Sequence, residues 1–264
     1  MKLEKLKTMK TLFVIYFLTI FSTAFCSIPG KLLLIGGGSD RSIETAWNQI
    51  PYQWAVDHSI NKRVAIIGYV DNEGFYEDYF IDNCNAVAAT YFKIANAEDA
   101  DDAALYDTLI TYGMVFIKGG NQANYYNYYK GTKTEEALEY IFNNGGVIAG
   151  TSAGCAILSK VTYAALNNSA DPLVSMRNYQ STDITLRDDF LDFFPGYVFD
   201  THFGERGRFP RLVAFMENWK FNTGENIIGI GVDDLTTLAI DSTMIGTVYG
   251  TGSVNFFKVE DEAY

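Results

Sequence analysis

Histidine and cysteine are both scarce in this chain, which has two of the first and three of the second in 264 residues. Cys26, Cys84 and Cys155 form neither a disulfide framework nor a zinc-ligand spacing, so no metal centre is expected. Cys26 falls at the end of a segment expected to be cut away. Only a Cys84–Cys155 bridge would then remain, and only the fold could bring those two together. Basic residues are also in deficit, with 20 Lys and Arg against 32 Asp and Glu and a net charge of −12. A sequence pI of about 4.6 argues against a nucleic-acid binder, where a basic face is expected. It suits an exported soluble protein, and it could attract cationic substrates. Repeats, low-complexity tracts and Pro/Ser-rich linkers are missing too. No apolar run is long enough to span a bilayer comfortably.

The start of the chain is set apart from the rest. Lys2, Lys5, Lys7 and Lys10 precede an uncharged apolar run from Thr11 to Ala24, and Ala24-Phe25-Cys26 places small residues at the two positions a signal peptidase reads. A secretory signal peptide over residues 1–26 is expected, with cleavage after Cys26 and a secreted or periplasmic product. The alternative is a lipidated Cys26 and a chain anchored at the cell surface, the only membrane association foreseen; Phe25 fits that pattern poorly. Residues 27–264 then suffice for one domain with a substantial core.

Within that domain apolar runs alternate with helical patterns. Strands are predicted at Lys31 to Ile35, Arg63 to Val70, Ala89 to Ile94, Met114 to Ile117, Val147 to Ala149 and Tyr197 to Asp200. Helices are predicted from Ile43 to Val56 with a break at Pro51, from Tyr76 to Val87, from a Thr132–Glu135 capping box to Asn143, and from Phe209 to Trp219. Ile227 to Lys258 reads as hairpins. The class is therefore α/β, a mainly parallel sheet with helices on both faces and C-terminal β-hairpins. Ligands of such sheets bind at the carboxyl ends of the strands. Three glycine-bearing turns lie on that edge, after Ile35, Ile117 and Ala149. The first, Gly36-Gly37-Gly38-Ser39-Asp40-Arg41, lacks the final glycine of a dinucleotide fingerprint. It reads as a closely packed turn, and no cofactor is expected.

The third turn carries the most chemistry. Gly150-Thr151-Ser152-Ala153-Gly154 lies between the apolar runs Gly146-Val147-Ile148-Ala149 and Cys155-Ala156-Ile157-Leu158, a strand, a sharp turn and a helix with serine at the apex. That is the pattern of a nucleophile elbow, although an ordinary tight turn can share it. A serine hydroxyl needs a base, and the base needs an orienting acceptor. His58, in Asp57-His58-Ser59-Ile60-Asn61, is expected to cap carbonyls or face solvent. His202 follows an apolar strand onto the carboxyl edge, so it alone is placed to meet Ser152; a structural loop histidine is the plainer alternative. The Ala153 N–H would be one oxyanion donor, and Gly119-Gly120-Asn121-Gln122 is the natural source of a second.

Taken together, Ala149 to Gly154, Asp200-Thr201-His202-Phe203 followed by Arg206, Arg208, Arg211 and Leu212, and Gly119 to Gln122 resemble the cyanophycinase and peptidase E family of serine peptidases. Lys31 to Gly38 and Gly229-Ile230-Gly231-Val232-Asp233-Asp234 are similar to that family's opening and late strands. The resemblance covers nearly the whole chain beyond the leader. It implies a fold like that of class I glutamine amidotransferases, with serine where those enzymes carry cysteine. It implies Ser152 as nucleophile, His202 as base, Gly120 and Ala153 as oxyanion donors and Gln122 as a substrate contact. Arg206 and Arg208 would suit a substrate carboxylate, unless they form a surface ion-pair cluster with Glu205.

The resemblance also implies a glutamate between serine and histidine, and the interval from Ala153 to Thr201 contains none. Its acids are Asp171, Asp183, Asp188, Asp189, Asp192 and Asp200. Asp171 is the expected triad acid, with Asp183 and Asp188 as alternatives. The expected function is hydrolysis of aspartyl or β-aspartyl peptides, cyanophycin among them, by an exported serine peptidase; a homodimer is compatible with it. Its rivals are a dipeptidase E-like enzyme for Asp-X dipeptides, a catalytically weakened peptide-binding protein on the same fold, and an enzyme using Cys155.

Overall fold

The computed structural model describes residues 29–38, 47–72 and 74–259. The leader expected over residues 1–26 lies outside them, as does the predicted helix start at Ile43. The first half of the described chain runs β1 (Lys31–Ile35), α1 (Gln49–Asp57), β2 (Arg63–Gly68), α2 (Phe75–Cys84), β3 (Ala88–Lys93), α3 (Ala97–Ala100), α4 (Ala103–Leu109), β4 (Met114–Ile117), α5 (Gln122–Tyr129) and α6 (Lys133–Asn143). Then come β5 (Val147–Thr151), α7 (Ala153–Ala156), β6 (Thr162–Tyr163), α8 (Pro172–Arg177), β7 (Leu186–Arg187), β8 (Tyr197–Thr201), α9 (Phe209–Thr223), β9 (Ile228–Val232), β10 (Thr236–Ile240), β11 (Gly246–Gly250) and β12 (Val254–Phe257).

The main sheet has the order β11-β10-β1-β5-β4-β2-β3. Its pairs from β1 through β3 are parallel, and β10 joins β1 antiparallel. Both faces are buried, so the central strands read as continuous apolar runs rather than alternating ones. Leu32, Leu34, Val115, Ile117 and Ile148 enter one core with Tyr125 of α5 and Leu138 of α6. Leu33, Ile35, Phe116, Val147 and Ala149 enter the other with Tyr52 of α1 and Phe80 of α2. A second sheet, β12-β9-β8, packs with α9 around a third core containing Val198, Leu212 and Phe215.

Several local readings change. Pro51 does not break α1; it sits in the first turn, where a missing N–H costs no helical bond. The Thr132–Glu135 capping box does not form. Glu135 reaches back to the Gly131 N–H, whereas the Thr132 hydroxyl donates to the Tyr129 carbonyl and makes no cap. Of the late strands only β10 and β11 form a hairpin. β9 and β12 pair with each other in the second sheet, so the chain crosses between sheets twice, at 233–235 and at 251–253.

Candidate active site

The carboxyl end of β1 organises the site. Three successive carbonyls, those of Ile35, Gly36 and Gly37, accept the backbone N–H groups of Ser152, His202 and Leu235, each at 2.9 Å. The strand end thus fixes the backbones of three segments that are far apart in sequence. Gly37 has φ +128, and a Cβ there would lie 2.1 Å from His202 Cε1. The imidazole occupies the space that any side chain at 37 would need. The opening glycine turn is therefore a platform under the base, consistent with the close packing expected of it.

Ser152 stands at the apex between β5 and α7 with φ 53 and ψ −115. A non-glycine residue is seldom found there, and such backbone strain concentrates at functional positions. The elbow is tight: a methyl at Gly154 would sit 2.4 Å from the Ile117 carbonyl oxygen. His202, with φ 48, is also in the left-handed region. Ser152 Oγ lies 2.7 Å from His202 Nε2. On the other side of the ring, His202 Nδ1 meets the Asp234 carboxylate. These three residues have the linear order of a nucleophile, a base and an orienting acid. Burial lowers the pKa of His202 below its ordinary value; Asp234 opposes the shift, while the Arg206 and Arg208 guanidiniums add to it. The imidazole is accordingly neutral at neutral pH, the form that can accept the serine proton.

Asp234, not Asp171, faces the base. The Asp171 carboxylate caps α8, accepting the N–H groups of Leu173 at 2.9 Å and Val174 at 3.0 Å. Asp183 accepts from Asn168 Nδ2 at 3.0 Å, and neither it nor Asp188 bonds the imidazole. The acid therefore follows the histidine in sequence, giving the order Ser, His, Asp. The signal that would have found it is the one that found His202: Gly229 to Val232 is an apolar strand whose carboxyl end runs straight into two aspartates.

The remaining predicted residues fall into two groups. Ala153 opens α7 directly after the serine. The Gly119-Gly120 turn lies alongside, its Gly119 Cβ position 3.9 Å from Ser152 Oγ. Gln122 is the first residue of α5, and its amide donates to the Tyr163 carbonyl at 3.3 Å. Arg208 is buried and donates to the Thr201 carbonyl at 2.6 Å, and Asp200 lies 3.4 Å away; the same aspartate is held by Arg211. Arg208 is thus committed to the fold beneath His202. Arg206 is exposed and has no ion pair among the described residues. It lines a cleft of about 340 Å³ with Arg208, Arg211, Ser169 and Asp171. Glu205 does not close an ion-pair cluster with these arginines; its carboxylate accepts the Asp234 N–H at 3.0 Å. His58 caps α1, its Nδ1 2.8 Å from the Trp54 carbonyl, and takes no part in the site.

Cys84 and Cys155 are both free and buried. Cys155 is fully enclosed in α7, and burial pushes its thiol well above the ordinary range. A thiolate nucleophile at that position is disfavoured on both counts. Among the described residues no cluster of His, Cys, Asp and Glu could hold a metal ion.

A cyanophycinase of Geminocystis herdmanii is 23% identical over 243 residues, covering 90% of this chain and 84% of that protein. A cyanophycinase of Synechococcus elongatus is 23% identical over 172 residues, covering 65% of this chain and 49% of the relative, so the match spans about half the length of that protein. The fold is shared with a crystallised peptidase from an acI-B1 Actinobacterium, with a TM-score of 0.67 at 16% identity over 90% of this chain and 94% of that one. Residues 32–248 match the profile of peptidase family S51, and the chain belongs to that family.

Proposed function

We propose that the protein is an exported serine peptidase that hydrolyses aspartyl or β-aspartyl peptide bonds through an acyl-enzyme. The observation that carries this reading is the contact of Ser152 Oγ with His202 Nε2 at 2.7 Å, with Asp234 on the opposite ring nitrogen. His202 Nε2 takes the hydroxyl proton as Oγ attacks the peptide carbonyl. The tetrahedral oxyanion is met by the Ala153 N–H and by the Gly119-Gly120 turn. His202 then protonates the leaving amine, and an ester to Ser152 remains. Water, deprotonated by the same imidazole, releases the acid product. Asp234 holds the ring in the tautomer that leaves Nε2 free and stabilises the imidazolium. Each oxyanion donor is worth about 10²- to 10³-fold in rate.

The preference for an aspartyl residue rests on Arg206, a guanidinium without an acidic partner among the described residues that lines the arginine cleft and bears electrostatically on the imidazole. Arginine offers a planar, permanently charged fork to a carboxylate. Cyanophycin, a polymer with an aspartate backbone and arginine side groups, joins the candidate substrates through the cyanophycinase relatives. Export rests on the lysine-led apolar segment before Ser27.

A release assay tests this on protein recovered from outside the cytoplasm, its N-terminus read to check for removal of residues 1–26. Cyanophycin and a panel of α- and β-aspartyl dipeptides are offered, with Ser152→Ala as control. Hydrolysis of at least one aspartyl class, lost in the variant, is expected. Hydrolysis of none by folded protein would leave a peptide-binding protein as the better reading.

A further inference from the structure

The acid of the site sits where two sheets are joined and neither ladder reaches. Asp233, Asp234 and Leu235 connect β9 of the second sheet to β10 of the first. Strand pairing therefore does not fix the direction of the Asp234 side chain. Something else must, because the imidazole it meets belongs to a different loop.

The Glu205 carboxylate accepts the Asp234 N–H at 3.0 Å, and Asp233 bonds to both sides of the connection. One of the Asp233 carboxylate oxygens accepts the Gly204 N–H at 2.8 Å, two residues beyond His202. The other accepts the Ser253 N–H at 2.9 Å, and the Asp233 N–H returns to the Ser253 carbonyl at 3.1 Å. A single side chain thus spans the histidine loop and the β11–β12 turn. The turn makes further bonds to the same connection. Thr251 N–H donates to the Leu235 carbonyl at 3.0 Å, and Gly252 N–H donates to Thr236 Oγ1 at 2.8 Å. Thr236 Oγ1 in turn donates to the Asp234 carbonyl at 3.0 Å. Contact is close enough that a Cβ on Gly252 would lie 2.7 Å from Asp233 Cβ. The turn at 251–253 lies past residue 248, the last matched to the family profile.

We propose that Asp233 is a positioning residue, which locks the His202 loop to the β11–β12 turn and so holds Asp234 against the imidazole. The inference rests on the proposed peptidase reading for its kinetic consequence, though the clamp itself can be measured without substrate. Asp233→Asn keeps the shape but can accept only one of the two N–H groups, leaving its amide N–H₂ opposed to the other. Gly252→Ala disturbs the same clamp from the turn and leaves both carboxylates chemically intact.

Four quantities are read on each folded variant: the thermal midpoint, kcat and KM on the best aspartyl dipeptide, and the low-field proton resonance of His202 Nδ1–H. The chain has two histidines, so His58→Gln assigns the resonance. Displacing a reacting group by about 1 Å costs on the order of 100-fold, so a fall in kcat of roughly 10- to 100-fold is expected with KM within about twofold. The low-field resonance should move upfield or vanish. A variant whose resonance and kcat match wild type, with only the midpoint lowered, would overturn the proposal and leave Asp233 as a stability contact. Should wild type hydrolyse nothing, the peptidase reading fails while the resonance still decides the clamp. Should Asp233→Asn not fold, Gly252→Ala decides it.

Discussion

At the scale of single residues the site is a matter of who faces His202. Ser152 and Asp234 lie on its two ring nitrogens, and Arg206 and Arg208 impose positive charge on it. The sign of the resulting pH dependence follows directly. The base must be neutral, so kcat/KM rises with pH through the His202 pKa. Burial, aided by the two cations, holds that pKa below the ordinary value, and activity should persist into mildly acidic solution. Arg206→Gln removes one cation that disfavours the imidazolium. The acid limb of the kcat/KM profile should therefore move to higher pH, with KM for aspartyl peptides rising as well. A limb that stays in place, or moves to lower pH, would show that Arg206 does not act on the base. The pairing of Ser152 with His202 is legible in the sequence because an apex serine and a histidine at a strand end are each local patterns. Asp234 is not, although Val232-Asp233-Asp234 is just as local. An acid expected between serine and histidine points to Asp171, whose Asp-Pro setting is that of a helix cap.

Elements explain why these residues meet. The carbonyls at the end of β1 hold Ser152, His202 and Leu235 in sequence. A glycine at 37 is required because the imidazole fills the place of its side chain. Gly37→Ala should push the ring off its platform and slow fluorophosphonate labelling of Ser152 by about 100-fold, with a loss of stability of roughly 1–3 kcal/mol from overpacking. Measuring the labelling rate beside a thermal melt checks both. An unchanged rate would show that the ring can relocate without loss of function. The strands were readable as apolar runs because both faces of the main sheet are buried. α3, α4 and α5 leave no comparable pattern in the sequence. α5, Gln122–Tyr129, is rich in tyrosine and asparagine and carries little apolar periodicity, yet Tyr125 and Tyr129 are fully buried. Its boundaries come from the Asn121 cap and from packing rather than from propensity.

Across the whole molecule, the candidate active centre is a junction between two sheets. Ser152 leaves the seven-stranded sheet, His202 leaves the three-stranded sheet, and Asp234 sits on the connection between them. That convergence is a property of the complete fold, which is why chain order gave no guide to the acid. The same convergence makes the third residue the sharpest point of the account. The most direct test is the rate of stoichiometric fluorophosphonate labelling, with the modified residue located by mass spectrometry, in wild type, His202→Ala, Asp234→Asn and Asp171→Asn. The account predicts labelling at Ser152, lost in His202→Ala, slowed by on the order of 10³- to 10⁴-fold in Asp234→Asn and unchanged in Asp171→Asn. Labelling elsewhere, or a loss in Asp171→Asn with none in Asp234→Asn, would contradict it.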